Sequence, residues 1–348
     1  MHEPTGHSGG PLPTDDAAAR LESSGQAEPR GTDAAEPAGP AEPPAAPASP
    51  IAPPAASPTL TPPAEPSGHR SSAKSPAQPS GDSPATRHRA ADAPAWLRDL
   101  SGAWIFYSVL PAWPAIEPRF ERIARFAPWI GAVLGGLQGL LWWSLEGQVP
   151  LLAQVCLVLA AGLWLSGGLH MDGAMDTADG LAAGQERLLE AMADSRVGAS
   201  GVQALVVVLL LRAGALASLG PLAPLALVWA AAWGRLAPLI AMARFPYLRE
   251  RGSAAFHRLH WGGLARELKP ALLLVASLVL LSWRLQGAAV MPLPLATLGL
   301  LPALLVPLWL GRRLGGHSGD SYGACVEWSE SLALLIMALA GLLAGHQP

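Results

Sequence analysis

Three aspartates are spaced in a way that could hold a metal ion. Asp172, Asp176 and Asp179 lie in GGLHMDGAMDTADG (167–180), directly after a long run of nearly uncharged residues. If the helix of that run continues through them, positions i, i+4 and i+7 share one stripe. Three like charges on a stripe repel one another and call for a cation. Carboxylate oxygens suit Mg²⁺, Mn²⁺ or Ca²⁺, so the run predicts a hard-metal site. A solvated acidic loop is the alternative.

Further polar residues surround this stripe. His170 could bind a metal or a phosphate, although a lone histidine is more often a packing residue. Asp194 and Arg196, in MADSRVGASG, add a fourth carboxylate and a guanidinium. Arginine binds phosphate through two parallel hydrogen bonds, but an Asp–Arg pair that closes the loop fits the spacing almost as well.

A glycine-rich segment, RRLGGHSGDSYG (312–323), contains Ser318 and Asp320. Backbone amides in such loops can bind anions, and a simple turn between two membrane helices is the alternative. Asp320 and Glu327 are seven residues apart, so they could share a helical stripe. We therefore expect a second carboxylate pair here.

Two regions of different composition carry these motifs. Residues 1–95 contain no aromatic residue before Trp96 and are rich in Pro, Ala, Ser and Gly. They cannot bury enough apolar surface to offset the entropy of ordering, so we expect a disordered tail. Residues 96–348 hold all thirteen tryptophans. The whole chain is only 14% charged, against about 25% for soluble proteins, and we expect residues 96–348 to be a membrane-embedded domain.

The membrane domain contains several apolar runs of the length that crosses a bilayer, which is about 20 residues. An aromatic, amphipathic segment at 96–113 is predicted to lie at the membrane interface. The predicted fold is therefore all-α, a polytopic integral membrane helix bundle of about six to seven transmembrane helices. The runs are 127–145, 149–169, 201–220, 222–243, 270–283, 288–310 and 331–345.

The distribution of Lys and Arg predicts the orientation of the bundle. With the N-terminal side inside, the opposite side holds only Arg284, as the positive-inside rule requires. The acidic loop and the loops 244–269 and 311–330 then lie on the cytoplasmic face of the cell (inner) membrane, where one active site could use all three. Arg212 and Arg235 fall within spans, where each is either functional or paired with an acid.

Three separated segments resemble one known family. GGLHMDGAMDTADG (167–180), MADSRVGASG (192–201) and LGGHSGDSYGACVEWSE (314–330) are similar to the cobalamin synthases, which are adenosylcobinamide-GDP ribazoletransferases. The likeness extends over roughly residues 100–345 and includes GRLAPLIAMARFPYLRERG (234–252). Three motifs in the family's order are a specific signal, whereas a lone DGxxD would not be.

The resemblance implies a Mg²⁺-dependent membrane transferase in the last steps of cobalamin biosynthesis. Such an enzyme joins α-ribazole, or its 5′-phosphate, to adenosylcobinamide-GDP and releases GMP. The expected partners are these two small molecules and the lipid bilayer, without nucleic acid, and a homo-oligomer is left open. The predicted catalytic residues are Asp172, Asp176, Asp179, Asp194 and Arg196; the predicted metal ligands are Asp172, Asp176, Asp179 and Asp320; and the predicted substrate-binding residues are His170, Ser195, Arg249, Arg251, Ser318 and Asp320.

Two other classes of membrane protein remain as alternatives. CDP-alcohol phosphotransferases also use helix-borne aspartates with Mg²⁺, but in their pattern Ala-Arg follows the first Asp-Gly, and here it does not. Transporters with an acidic ion path often carry internal repeats with a site at the membrane midplane. The sequence shows no repeat, and its acids cluster at one predicted face.

Overall fold

The computed structural model describes residues 93–249, 254–284 and 291–345. All of them belong to one compact unit, residues 76–348. Within these ranges the chain is helical, and strand-like pairing is limited to one bridge between Tyr247 and His317. The predicted tail lies outside the described residues except for its last three.

The helices begin and end as follows: α1 Ala95–Phe106, α2 Ala127–Leu145, α3 Leu151–Leu165, α4 Leu169–Ala183, α5 Leu188–Ala191, α6 Ala199–Leu219, α7 Ala223–Arg244, α8 Ala255–Leu259, α9 Leu264–Glu267, α10 Lys269–Arg284, α11 Leu293–Leu298, α12 Leu300–Leu314 and α13 Gly319–Leu343. Short 3₁₀ turns at Ile123–Phe126 and Gly220–Leu222 precede α2 and α7.

Three helical segments are long and apolar enough to cross a membrane. They are Ala199–Arg244, Leu293–Leu314 and Gly319–Leu343, and the bent pair α3 and α4 makes a fourth if it is one span. The chain is therefore an all-α, multi-pass membrane protein. The described segments of span length are fewer than the six to seven expected.

The centre of the bundle is formed by α2, α7 and α13. Glycines let α2 lie directly on α7: a β-carbon at Gly139 would stand 2.8 Å from the carbonyl oxygen of Pro224, and Gly131 and Gly135 contact the α7 backbone in the same way. This is the close packing that small residues spaced by four on one helix face allow between membrane helices. On its other side, α7 packs against α13, which also contacts α4 and α6.

The acidic helix α4 is not a continuation of α3. The two helices meet at an angle of 90°, because Gly167 (φ 63°) and Gly168 (φ 70°) adopt the left-handed backbone that ends a helix. The expectation of one continuous helix was therefore wrong. The three aspartates still share a helix, however, since all lie within α4. This helix turns away from the apolar α3 and carries three carboxylates, which are costly in hydrocarbon, so it lies at the edge of the bilayer and outside the membrane-spanning segments.

Both arginines within the bundle form ion pairs with acids of α13. Arg212 of α6 lies 2.7 Å from Glu327, and Arg235 of α7 lies 2.9 Å from Glu330. All four side chains are buried, and their charges balance. Glu327 is thus paired inside the bundle and does not join Asp320 in a second carboxylate pair, so that expectation was wrong.

Candidate active site

A cavity of about 170 Å³ lies between α4, α7 and α13. Asp172 and Asp320 line it together with His170 and Arg235. Asp172 is exposed and Asp320 is partly exposed, whereas the other two side chains are buried. The cavity therefore has an acidic, open end and a buried inner end.

The acidic end exists because α4 and α13 cross with their backbones in contact. A β-carbon at Gly173 would stand 2.5 Å from the carbonyl oxygen of Asp320, and one at Gly323 would stand 2.9 Å from that of His170. Two facing glycines thus let the helices approach more closely than any other residue allows. The crossing brings Asp172 and Asp320, from distant parts of the sequence, to one cavity.

Asp320 lies in the first turn of α13 and is held from several sides. Ser318 and Ser321 form a capping box in which each side-chain oxygen accepts the other's backbone N–H, at 3.3 and 2.8 Å. The hydroxyl of Ser318 also donates to Asp320 at 3.3 Å. Arg249, from the preceding polar loop, pairs with Asp320 at 3.0 Å. Ser318 is fully buried, so in this structure it positions Asp320, while Arg249 stands beside the cavity.

Asp176 lies in a strongly negative environment. Its pKa is raised to about 6, first by burial and then by the charges of Asp172, Asp320 and Asp179, with Arg249 acting in the opposite direction. Carboxylates from two helices therefore act on one another here. A bound cation would relieve this repulsion.

The third acid of the stripe, Asp179, has a different set of contacts. Its two carboxylate oxygens accept the backbone N–H groups of Gly198 and Gly201, both at 2.8 Å. These amides belong to the start of α6, where backbone donors lack partners within the helix. Asp179 thus caps α6 and fastens the preceding loop to α4.

That loop carries the predicted residues Asp194, Ser195 and Arg196. Asp194 accepts hydrogen bonds from the guanidinium of Arg196 at 2.6 and 3.0 Å and from its backbone N–H at 3.0 Å. These bonds hold the pKa of Asp194 down at about 2. The Arg196 side chain is 87% exposed, and none of the three residues lines the cavity. They lie beside the Asp179 end of the stripe.

The remaining predicted residues are His170 and Arg251. His170 is buried, and burial, followed by the charges of Arg235 and Arg212, holds its pKa well below its usual value. It is therefore a neutral imidazole on the cavity wall. Arg251 lies outside the described residues.

The donor set fits a metal ion that is bound together with a phosphorylated substrate. Within the described ranges, no three His, Cys, Asp or Glu side chains are grouped closely enough to hold a metal ion by themselves. Mg²⁺, however, is usually held by one or two carboxylates plus substrate phosphates and waters. Asp172 and Asp320 provide two carboxylates at one cavity, and the half-buried Asp176 adds negative potential beside them.

Several residues of the cavity were not singled out from the sequence as part of a site. Tyr107, which follows α1, and His257 of α8 line its inner end. Asp99, a fully buried residue of the preceding helix α1, pairs with Arg119 at 2.7 Å and with Arg125 at 2.6 Å. The sequence signal for His257 is its place in a predicted cytoplasmic loop, and this signal does not separate it from its neighbours.

Comparison with known proteins gives consistent matches. A family model described as cobalamin-5-phosphate synthase matches residues 99–338. A relative from Prochlorococcus marinus (strain MIT 9313), named adenosylcobinamide-GDP ribazoletransferase, is 60% identical over 256 residues, or 71% of this chain and 97% of the relative. A relative of the same name from Thermosynechococcus vestitus is 47% identical over 244 residues, or 69% of this chain and 94% of the relative. No solved structure matches the chain.

Proposed function

Since the chain belongs to the cobalamin-5-phosphate synthase family, we propose that the cavity between α4, α7 and α13 is its active site. The chain is a transferase of cobalamin biosynthesis that joins ribazole to adenosylcobinamide-GDP. The observation that supports this site most strongly is that Asp172 and Asp320 line one cavity. Membership of this family decides against the two alternative functions left open by the sequence, a CDP-alcohol phosphotransferase and a transporter.

The proposed reaction is a displacement at phosphorus. A ribose hydroxyl of ribazole attacks the phosphorus on the cobinamide side of the pyrophosphate. A new P–O bond forms, the P–O bond to GMP breaks, and GMP leaves. The hydroxyl proton passes to a carboxylate of α4, which acts as general base. In phosphoryl transfer the protein mainly orients the reactants and stabilises charge, so the placement of the acids matters more than any single one of them.

Each carboxylate on or beside α4 has a role in this proposal. Asp172 and Asp320, with Asp176 beside them, would hold Mg²⁺ at the pyrophosphate. When bound, Mg²⁺ would offset the negative charge that builds up on the phosphates. Asp179 adds to the negative potential and keeps the loop of Asp194 in place.

The guanidinium groups near the stripe would bind the phosphate oxygens. Arg249 stands at the Asp320 end and the exposed Arg196 lies beyond the Asp179 end. Seven residues of helix span about 10 Å, so the two arginines could contact successive parts of an extended substrate. The predicted contributions of Ser195, Arg251 and His170 to substrate binding belong to the same proposal.

We further propose six to seven transmembrane helices in the cell (inner) membrane, with the active site facing the cytoplasm. Ala199–Arg244 has 46 residues, or about 69 Å as a straight helix, more than twice the hydrocarbon thickness. It is interrupted at Gly220 (φ 50°), which supports two spans, α6 and α7. Asp320 contacts Arg249, and α13 contacts α4. These contacts support a position of the acidic loop and of the loops 244–269 and 311–330 on the same face of the membrane. A homo-oligomer stays a prediction.

The reaction can be tested with membranes that carry the protein. They are incubated with adenosylcobinamide-GDP, α-ribazole 5′-phosphate and Mg²⁺, and GMP and the joined corrinoid are measured together. We expect both products in equal amounts and neither with EDTA. GMP without a joined corrinoid would indicate hydrolysis and contradict the proposal. Product formation unaffected by EDTA would contradict the role of the metal ion.

A further inference from the structure

The inner end of the cavity holds three buried polar atoms that have no hydrogen-bond partner. They are Nε of Arg235, Nδ1 of His170 and Nδ1 of His257. The three side chains are only 5%, 6% and 7% exposed, and all three line the same cavity. Buried polar groups are nearly always paired in native proteins. Their presence at one cavity therefore indicates a ligand that forms hydrogen bonds at this end.

Aromatic rings form the walls around these atoms. Tyr107 stacks on His170 with ring centroids 5.9 Å apart, and Phe106 meets His257 edge-on at 6.3 Å. The remaining lining at this end is apolar and includes Ala127 and Met242. Aromatic walls of this kind favour a flat ring, through offset stacking and edge-to-face contacts.

The inner end carries little free charge. Glu330 balances the guanidinium of Arg235, and burial lowers the pKa of His257 to about 4, so its imidazole is neutral near pH 7. A phosphate would find no unpaired cation here. An uncharged ring with few polar atoms fits better, while phosphates belong at the acidic, metal-binding end.

We propose that the base pocket, formed by Phe106, Tyr107, His170, Arg235 and His257, binds the benzimidazole ring of ribazole. The ring lies between the aromatic walls, and its nitrogen that is not bonded to ribose accepts the Nε–H of Arg235. This assignment rests on the proposed function, because it names the position of one substrate in that same cavity. It also directs the ribose of ribazole toward Asp172 and Asp320, where the phosphorus is attacked.

The other ring among the substrates, guanine, fits this pocket less well. Its edge carries several donors and acceptors, more than the three unpartnered atoms can satisfy. Burial of unsatisfied polar groups is strongly unfavourable. A benzimidazole attached to ribose has a single free ring nitrogen, and the rest of its surface is apolar.

The first test measures binding without turnover. Purified wild-type protein in lipid nanodiscs is titrated with benzimidazole and, separately, with guanosine, in EDTA, and tryptophan fluorescence or calorimetry is followed. The base pocket contains no metal ligand, so benzimidazole binds without Mg²⁺ and α-ribazole competes with it. Guanosine binding that α-ribazole displaces, with no binding of benzimidazole, would overturn the assignment.

The second test replaces one of the unpartnered groups. His257→Phe keeps a flat ring and removes both nitrogens. Because the free ring nitrogen of ribazole is bound by Arg235, the hydrogen bond that this change removes is one to a ribose hydroxyl, and we expect the KM for ribazole to rise about tenfold. The KM for adenosylcobinamide-GDP and kcat change by less than about twofold. The matched control is His260→Phe, since His260 is exposed three residues later and lines neither this cavity nor its neighbour; its kinetics stay those of the wild type.

The two proposals fail in different ways. Absence of product in wild-type membranes contradicts the proposed function. An active wild type in which His257→Phe raises the KM for adenosylcobinamide-GDP, and not that for ribazole, contradicts only the base pocket. If His257→Phe does not fold, the titrations of the wild type decide.

Discussion

A β-carbon at Gly173 would stand 2.5 Å from the main-chain carbonyl oxygen of Asp320. The two helices α4 and α13 can therefore cross at this distance only through a glycine. Because Asp172 precedes Gly173 directly, the crossing also fixes the distance between the two carboxylates of the cavity. Gly173 therefore determines both how closely α4 and α13 pack and where the two carboxylates of the cavity lie.

Gly173→Ala is expected to lower kcat/KM by at least about tenfold, since displacements of about 1 Å in an active site have effects of this size or larger. The measurement is GMP release by protein quantified in the membrane. The control is Gly136→Ala in α2, where a β-carbon would meet nothing within 4 Å. Equal activity of the two variants would show that the close crossing does not matter.

Asp179→Ala is expected to lower the free energy of unfolding by about 2 kcal/mol, because the start of α6 loses its cap. Thermal unfolding in detergent measures the change. Glu190→Ala serves as a control, since Glu190 forms an exposed ion pair with Arg187 and such pairs contribute little. If Asp179→Ala unfolds at the same temperature as the wild type, the two hydrogen bonds from backbone amides to Asp179 do not stabilise the fold.

Glu327→Gln is expected to destabilise the protein by about 3 kcal/mol, because it leaves the buried Arg212 without its nearest counter-charge. The double variant Arg212→Met with Glu327→Met removes both charges and keeps the pair of Arg235 and Glu330. We expect it to unfold at a higher temperature than Glu327→Gln. A double variant less stable than the single one would contradict the charge balance inferred for these helices.

The sequence predicts some helices well because their ends coincide with charges. The run 127–145 agrees with α2, which lies between Arg125 and Glu146. The last predicted run began only at residue 331, whereas α13 begins at Gly319. The acids Glu327 and Glu330 made the earlier part look too polar, and their neutralisation by arginines of α6 and α7 cannot be recognised from local composition.

The candidate site was only partly predictable for a related reason. The spacing of Asp172, Asp176 and Asp179 indicates one helical face, and all three do share α4. Spacing does not show that Asp179 turns to the amides of α6, nor that Arg235 and His257 meet at one cavity. Those contacts depend on how distant helices pack, and on burial that leaves their nitrogens without partners.

The central claim is that Asp172 and Asp320 act on one metal ion. The most direct measurement is the Mg²⁺ concentration for half-maximal GMP release by the wild type, Asp172→Asn, Asp320→Asn and the double variant. We predict that each single variant requires about tenfold more Mg²⁺ for half-maximal GMP release or loses activity. The loss in the double variant should be much smaller than the two single losses multiplied together, as for residues that act as a unit. Unchanged Mg²⁺ requirements, or fully multiplicative effects, would contradict a shared site.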